Sequence, residues 1–252
     1  MSSKIEWTGE TWNPITGCSK ISDGCQNCYA RVMAKRLKAM RVEKYSDGFR
    51  LALHTKELEK PLSWKKPRTI FVCSMSDLFH SDVPTEFIEA VFETIEQTPQ
   101  HAYQILTKRA DRLADFFESR ACPPNAWLGV TVENREHGLP RIDFLRQVKA
   151  PIRFLSLEPL LEALDGMDLR GLDWVIIGGE SGPKARPFDL IWCHKIIKQC
   201  GGSDIPVFVK QLGANPVYFG SPDWPRGYFG PNGENMDKWP ASLRIRQMPI
   251  MR

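Results

Sequence analysis

Three cysteines within one short loop constrain this chain more than any other feature. They stand in Gly17-Cys18-Ser19-Lys20-Ile21-Ser22-Asp23-Gly24-Cys25-Gln26-Asn27-Cys28-Tyr29-Ala30, spaced C-x6-C-x2-C. The next cysteine is Cys73 and the next histidine is His54. A structural zinc site wants four protein ligands, usually as two close pairs. Three thiolates on one loop suit a [4Fe-4S] cluster in which one iron lacks a protein ligand and stays open to an outside molecule. Gly17 and Gly24 let the backbone fold tightly over a bulky inorganic core. From Cys28 the residues read as helix, so the loop ends at a helix N-terminus, where free N–H groups favour negative charge. Two other readings stand beside this one. One is a zinc knuckle completed from afar by His54 or Cys73. The other is a set of buried, unliganded thiols, which suits a polar, glycine-rich setting poorly.

The remaining composition narrows the class. With 42% apolar and 25% charged residues, the balance is that of an ordinary globular protein, which excludes disordered and fibrous chains. The 252 residues suffice for one large α/β domain or two small ones. No apolar run approaches the ~20 residues of a membrane span, and Met1-Ser2-Ser3-Lys4 leads into no signal-peptide core. Seven cysteines, an odd number, fit a reducing cytoplasm better than a disulfide framework. The net charge of +4 is unevenly spread: residues 31–68 hold twelve Lys or Arg against four Asp or Glu.

The chain has a βα rhythm. Ile5 to Pro14 is expected to form a short strand leading into the cysteine loop. Tyr29 to Val42 reads as an amphipathic helix, with Met33, Leu37 and Met40 at helical spacing. Residues 43–68 form a basic insertion. Apolar runs follow at 69–73, 102–106, 127–132, 152–157, 174–177 and 206–209, with helical segments expected between them. Strands at such intervals indicate parallel βα units, and near-continuous apolar runs indicate a sheet covered on both faces. Seven candidate strands suit an α/β partial (β/α) barrel better than a closed barrel of eight. Residues 1–212 would form that barrel. Residues 213–252, rich in proline and aromatics, would form an irregular extension that covers an open edge or walls a substrate pocket.

In such barrels chemistry sits at the C-terminal ends of the strands. That rule selects Ser76, Asp77, Lys108, Glu133, Glu158, Glu180 and Lys210, each placed directly after an apolar run. Asp77, Lys108, Glu158 and Lys210 are the candidate catalytic groups. The bland alternative for any of them is a helix cap or a salt-bridge partner.

The stretch Thr11-Trp12-Asn13-Pro14 … Gly17-Cys18 … Ser22-Asp23-Gly24-Cys25-Gln26-Asn27-Cys28-Tyr29-Ala30 resembles the cluster motif of a phage-associated branch of the radical S-adenosylmethionine superfamily. The superfamily's common spacing is C-x3-C-x2-C, so this chain carries three extra residues between its first two cysteines. Its aromatic residue, Tyr29, follows the last cysteine instead of preceding it. The resemblance runs to about residue 212. It implies a partial barrel of about six units, a [4Fe-4S] cluster on Cys18, Cys25 and Cys28, and S-adenosylmethionine as co-substrate. By the same likeness, Ser74, Ser76 and Asp77 would approach the methionyl amine. Glu133 and Asn134 would bond the ribose, and the Gly178-Gly179-Glu180 turn would let backbone approach the ligand.

The resemblance implies an enzyme that generates a 5′-deoxyadenosyl radical to modify a substrate. The phage-associated setting points to a nucleic acid base or nucleotide, with a flavodoxin or ferredoxin as reductant and no membrane partner. Two alternatives come from other classes. A carboxylate-dependent barrel hydrolase would use Glu133, Glu158 and Glu180 but gives the cysteine loop no role. A metal-knuckle nucleic-acid-binding module would use the basic segment but gives the barrel none.

Overall fold

The apolar runs become the strands of one seven-stranded sheet in the computed structural model, which describes residues 5–221, 224–225 and 227–250. The strands are β1 (Glu10–Trp12), β2 (Thr69–Val72), β3 (Ala102–Thr107), β4 (Ala126–Thr131), β5 (Ile152–Leu157), β6 (Trp174–Gly178) and β7 (Val207–Gln211). They neighbour one another in chain order. The pairings β1–β2, β2–β3, β5–β6 and β6–β7 are parallel. This singly wound order is that of an open (β/α) barrel; a doubly wound sheet reverses direction at a switch point. The α/β class expected from the sequence is therefore the one that forms. Every residue of β4 and β6 is buried, as strands covered on both faces require.

The helices are α1 (Tyr29–Ala39), α2 (Thr85–Glu96), α3 (Ala110–Phe117), α4 (Leu139–Gln147) and α5 (Leu190–Gly201). In α2 the residues Ile88, Val91, Phe92 and Ile95 recur at i, i+3, i+4 and i+7 and are buried, together with Thr94. One expectation fails. No helix forms between β5 and β6, and residues 158–173 run as turns and bends. Pro159 restricts its predecessor to extended backbone, and Gly166 and Gly171 adopt positive φ, so no helical stretch can be sustained.

The chain divides into two compact units. The first comprises Met1–Ile21, Cys28–Gly129 and Gln147–Pro151. In it Trp12 packs edge-on against Tyr103 at 5.8 Å, and both are fully buried. The segment entering the cysteine loop is tied down here. Gly17 N donates to the Met75 carbonyl at 3.0 Å, and Gly17 bridges Ser76 in parallel register. Gly17 has φ +81°, and a Cβ there would overlap the Arg50 carbonyl and stand 2.7 Å from Leu51 N. Gly166 also has positive φ, +74°, but open space around its Cα. Gly17→Ala is therefore expected to lower the urea midpoint much further than Gly166→Ala, which meets only the left-handed strain of ~1–3 kcal/mol. Equal losses would show that Gly17 is needed for its φ alone.

The second unit comprises Ser22–Asn27, Val130–Arg146 and Ile152–Arg252. Its C-terminal segment covers the outer edge of β7. Val209 N donates to the Ile245 carbonyl at 2.8 Å, Gln247 N to the Val207 carbonyl at 2.8 Å, and the Gln247 side chain accepts from Val207 N at 3.0 Å. An otherwise unpaired strand edge is thereby closed. Among the described residues, no helix is long and apolar enough to cross a membrane.

Candidate functional site

Cys18 and Cys28 belong to the first unit. Cys18 is half-buried, and the Arg109 guanidinium reaches its sulfur, with Nη1 3.7 Å from Sγ. The same guanidinium donates from Nη2 to Ser19 Oγ at 3.0 Å. Arg109 is itself held by Asp77, whose Oδ2 accepts from Nη1 at 2.9 Å. Asp77 also accepts from Thr107 Oγ1 at 2.7 Å, Phe79 N at 3.0 Å and Lys108 N at 3.1 Å. Burial opposes the charge on Arg109, but the Asp77 carboxylate and the Cys18 sulfur beside it raise its pKa. A satisfied, buried ion pair of this kind fixes geometry. His80 completes the network. Its Nδ1 accepts from Asp82 N at 3.1 Å, which leaves Nε2 to donate to Ser19 Oγ at 2.7 Å. Burial first, then Arg109, lowers the His80 pKa, in keeping with a neutral ring.

Cys28 stands at the N-terminus of α1, half-buried against the cluster of Ala30, Ala34, Tyr45 and Met75. The Ser74–Ser76 turn supports the approach to the loop. Ser74 Oγ donates to Asn13 Oδ1 at 3.1 Å, and Ser76 Oγ to the Ile15 carbonyl at 2.9 Å. Tyr29 OH donates to the Ser74 carbonyl.

Cys25 and its neighbours belong to the second unit, where the acidic strand ends hold them. Glu133, directly after β4, is fully buried. Its Oε1 accepts from Ser22 Oγ, and its Oε2 accepts from Arg141 Nη1 at 2.6 Å. Arg141, on α4, is buried as well and also donates to the Thr131 carbonyl at 2.7 Å. Gly24 lies flat against Glu133, since a Cβ there would stand 3.0 Å from Oε1. Ser22 Oγ is 3.9 Å from Cys25 Sγ. Asn134 Nδ2 makes long contacts, 3.4 Å to Asp23 Oδ2 and 3.5 Å to His137 Nδ1. Glu180 accepts from Asn27 Nδ2 at 3.0 Å and from Arg186 through Nη2 at 2.6 Å and Nε at 3.0 Å. Burial opposes its charge, but the bonds from Arg186 and Asn27 hold its carboxyl below the usual range.

Glu158 and Lys210, after β5 and on β7, meet as an ion pair at 2.9 Å with both side chains partly exposed. A side chain at Gly178 would overlap Glu158, so this glycine makes room for a carboxylate of the protein itself. Gly179 is bonded through its N–H to the Gln211 carbonyl at 3.1 Å. Lys108 contributes its backbone amide to Asp77.

Of the residues the strand-end rule selected, Glu133 and Glu180 bond the cysteine loop at Ser22 and Asn27, while Glu158 and Lys210 pair with each other; the rule did not select the arginines that hold Asp77, Glu133 and Glu180. Arg109 follows Lys108 directly at a strand end, and that position was its only signal. Arg141 and Arg186 read as ordinary solvated charges.

A family model described as a protein of unknown function, DUF5131, matches residues 2–223. The chain belongs to the DUF5131 family. No curated protein matches it. Among solved structures, it is similar to spore photoproduct lyase with bound AdoMet and dinucleoside spore photoproduct, at 12% identity and TM-score 0.45. A complex of that lyase with the dinucleoside gives the same values, and a mutant with the dinucleoside gives 13% and 0.46. Each alignment covers 70% of this chain and 57% of the lyase.

The donor set of this DUF5131 chain can be tested against an iron–sulfur cluster. Both remote candidates for a fourth zinc ligand are engaged otherwise. His54 Nε2 lies 2.8 Å from Thr16 Oγ1. Cys73 is buried, and that burial, with Asp77 and Cys18 adding to it, pushes its thiol up to about 12. Cys193 and Cys200 are buried too, while the three loop thiols are half-exposed. Burial likewise pushes Cys122 and Cys200 up to about 12. Thiolates, not thiols, ligate metal. Among the described residues no three His, Cys, Asp or Glu side chains stand together as a metal site needs. The fit therefore lies in the type of the donors: three partly accessible thiols on one loop, with neither His54 nor Cys73 free to complete a zinc site.

Proposed function

We propose that this chain is a radical S-adenosylmethionine enzyme whose Cys18, Cys25 and Cys28 hold a [4Fe-4S] cluster. The observation that carries the reading is the sorting of the thiols: the three of the C-x6-C-x2-C loop are partly accessible, whereas of the two remote candidates for a fourth ligand Cys73 is buried and His54 bonds Thr16. When bound and reduced, such a cluster supplies the electron that cleaves the sulfonium of S-adenosylmethionine to methionine and a 5′-deoxyadenosyl radical. The chain's own residues do the positioning. Asp77 fixes Arg109 against Cys18 and Ser19, Glu133 anchors Ser22 and packs on Gly24, and Glu180 anchors Asn27. By the likeness stated above, Asn134 would reach the cofactor's ribose hydroxyls, and Ser74 and Ser76, in the first unit, its methionyl amine. The Glu158–Lys210 pair, partly exposed on both sides, would meet the substrate.

The substrate we propose is a nucleic acid base or nucleotide. Arg50, Lys56, Lys65 and Lys66 in the basic insertion are exposed, and no carboxylate among the described residues lies within ion-pair distance of them. Such cations suit phosphate groups. A carboxylate hydrolase is disfavoured because Arg141 and Arg186 already bind two of its three carboxylates.

The test is anaerobic reconstitution with iron and sulfide, followed by dithionite and S-adenosylmethionine. The expected result is brown protein with about four irons per chain and slow release of 5′-deoxyadenosine and methionine. Colourless protein holding one zinc after reconstitution, or S-adenosylhomocysteine as the sole cofactor product, would overturn the reading.

A further inference from the structure

α1 begins at Cys28 and turns one face inward. Ala30 and Ala34 are buried, and Leu37 packs on the same cluster. Its opposite face is unusual for solvent. Val32, Met33 and Met40 are 52%, 41% and 72% exposed. At 100° per residue, Val32, Met33, Arg36 and Met40 fall on one stripe along the helix. Arg36 stands within the stripe, and Arg31, Lys35 and Lys38 flank it; all four are exposed. Among the described residues no carboxylate lies within ion-pair distance of Arg31, Lys35, Arg36 or Lys38, although Arg31 stacks over Phe49 at 5.2 Å. A solvated helix face carries charges of both signs. This one carries apolar side chains with cations alone.

An apolar stripe with an arginine within it and cations along one edge matches protein interfaces, where methionine and arginine are enriched. It does not suit a duplex backbone, which meets cations and hydrogen-bond donors and offers nothing to exposed methionines. The charge selects an acidic partner. Methionine, soft and adaptable, suits contacts that form and release repeatedly. The position selects the partner's role: at 1.5 Å per residue, Val32 and Met33 lie only ~6–8 Å along the axis from Cys28. The geometry points to the outward face of α1 as the docking surface for a small acidic electron-carrier protein, which delivers one electron toward the loop that α1 continues. This inference rests on the radical-enzyme reading. The step moves one electron from the carrier, here a flavodoxin hydroquinone going to its semiquinone, and no bond forms or breaks.

The decisive experiment uses the full-length reconstituted protein and flavodoxin as probe. Flavodoxin affinity is measured by calorimetry at two salt concentrations for the wild type, for Lys35→Glu/Arg36→Glu and for Met33→Ser/Met40→Ser. The wild type should bind, more weakly at high salt. The charge-reversed variant should bind roughly tenfold or more weakly, since like charges now face each other. The serine variant should weaken without a change in salt dependence. Dithionite-driven 5′-deoxyadenosine release should be unchanged in both variants, while flavodoxin-driven release falls. Unaltered flavodoxin affinity in both variants overturns the docking face even if the enzyme is active. So does loss of affinity for a single-stranded oligonucleotide with flavodoxin binding intact, which would make α1 a nucleic-acid surface. Failure of dithionite to give any 5′-deoxyadenosine in the wild type would instead strike the proposed function, with the affinities still deciding the surface.

Discussion

Cys18→Ala, Cys25→Ala and Cys28→Ala should each reduce iron from about four per chain to near zero after anaerobic reconstitution, and each should abolish 5′-deoxyadenosine release. Cys73→Ala, Cys122→Ala, Cys193→Ala and Cys200→Ala should retain both. The division follows from environment. Cys73, Cys193 and Cys200 are buried, and burial raises the pKa of these three and of Cys122, so none is held as a ready thiolate. The loop thiols are half-exposed, and Cys18 has the cationic Arg109 3.7 Å away. With three protein ligands only, removal of one leaves a cluster without enough anchors. The four other substitutions cost packing instead, which circular dichroism and a urea midpoint would register separately from iron content. Iron loss in Cys73→Ala with an unchanged urea midpoint would identify a fourth ligand and turn the open centre into a closed one. Full iron retention in any of the three loop variants would refute the assignment of that cysteine.

The sequence carried the sheet because local pattern suffices for strands buried on both faces. Runs such as Trp174-Val175-Ile176-Ile177 admit few other fates, and the six expected apolar strands formed within two residues of their predicted ends, whereas the strand expected over Ile5 to Pro14 shrank to Glu10–Trp12. The missing helix between β5 and β6 was also written locally, in Pro159, Gly166 and Gly171, but the alternating rhythm of the other units masked it. The carboxylates after β4 and β6 were legible as special for the same local reason: a charge directly after a buried strand must go somewhere. Their partners were not legible. Arg141 sits eight residues from Glu133 on a helix, and nothing in its neighbours distinguishes it from the exposed Arg146 contacts of the same helix. Whether an arginine is buried depends on what another element brings over it. The sequence reading assigned Glu133 and Glu180 to the cofactor; in the structure Glu133 also binds Arg141 and Ser22, between the first and second cysteines, and Glu180 binds Arg186 and Asn27, between the second and third.

Glu133→Ala should be among the most destabilising single changes outside the apolar core, at roughly 3–5 kcal/mol, because it leaves the buried Arg141 guanidinium without its counter-charge. Glu133→Gln keeps the shape and an acceptor for Ser22 but removes the charge, so its loss should be smaller. The informative variant is the double one, Glu133→Leu/Arg141→Met. Exchanging a buried ion pair for apolar residues of similar size is often neutral to stability or better, so the urea midpoint should recover. The loop should not recover. Ser22 would have lost its acceptor, and Gly24 the carboxylate it packs on, so amide exchange in Ser22–Asn27 should accelerate and reconstituted iron content should fall. Stability and loop order are thereby separated. If Glu133 instead served the cofactor directly, Glu133→Gln would weaken S-adenosylmethionine binding with stability and loop exchange both unchanged. A double variant with restored stability, slow exchange across Ser22–Asn27 and full iron would show that the buried carboxylate holds the fold and not the cysteine loop.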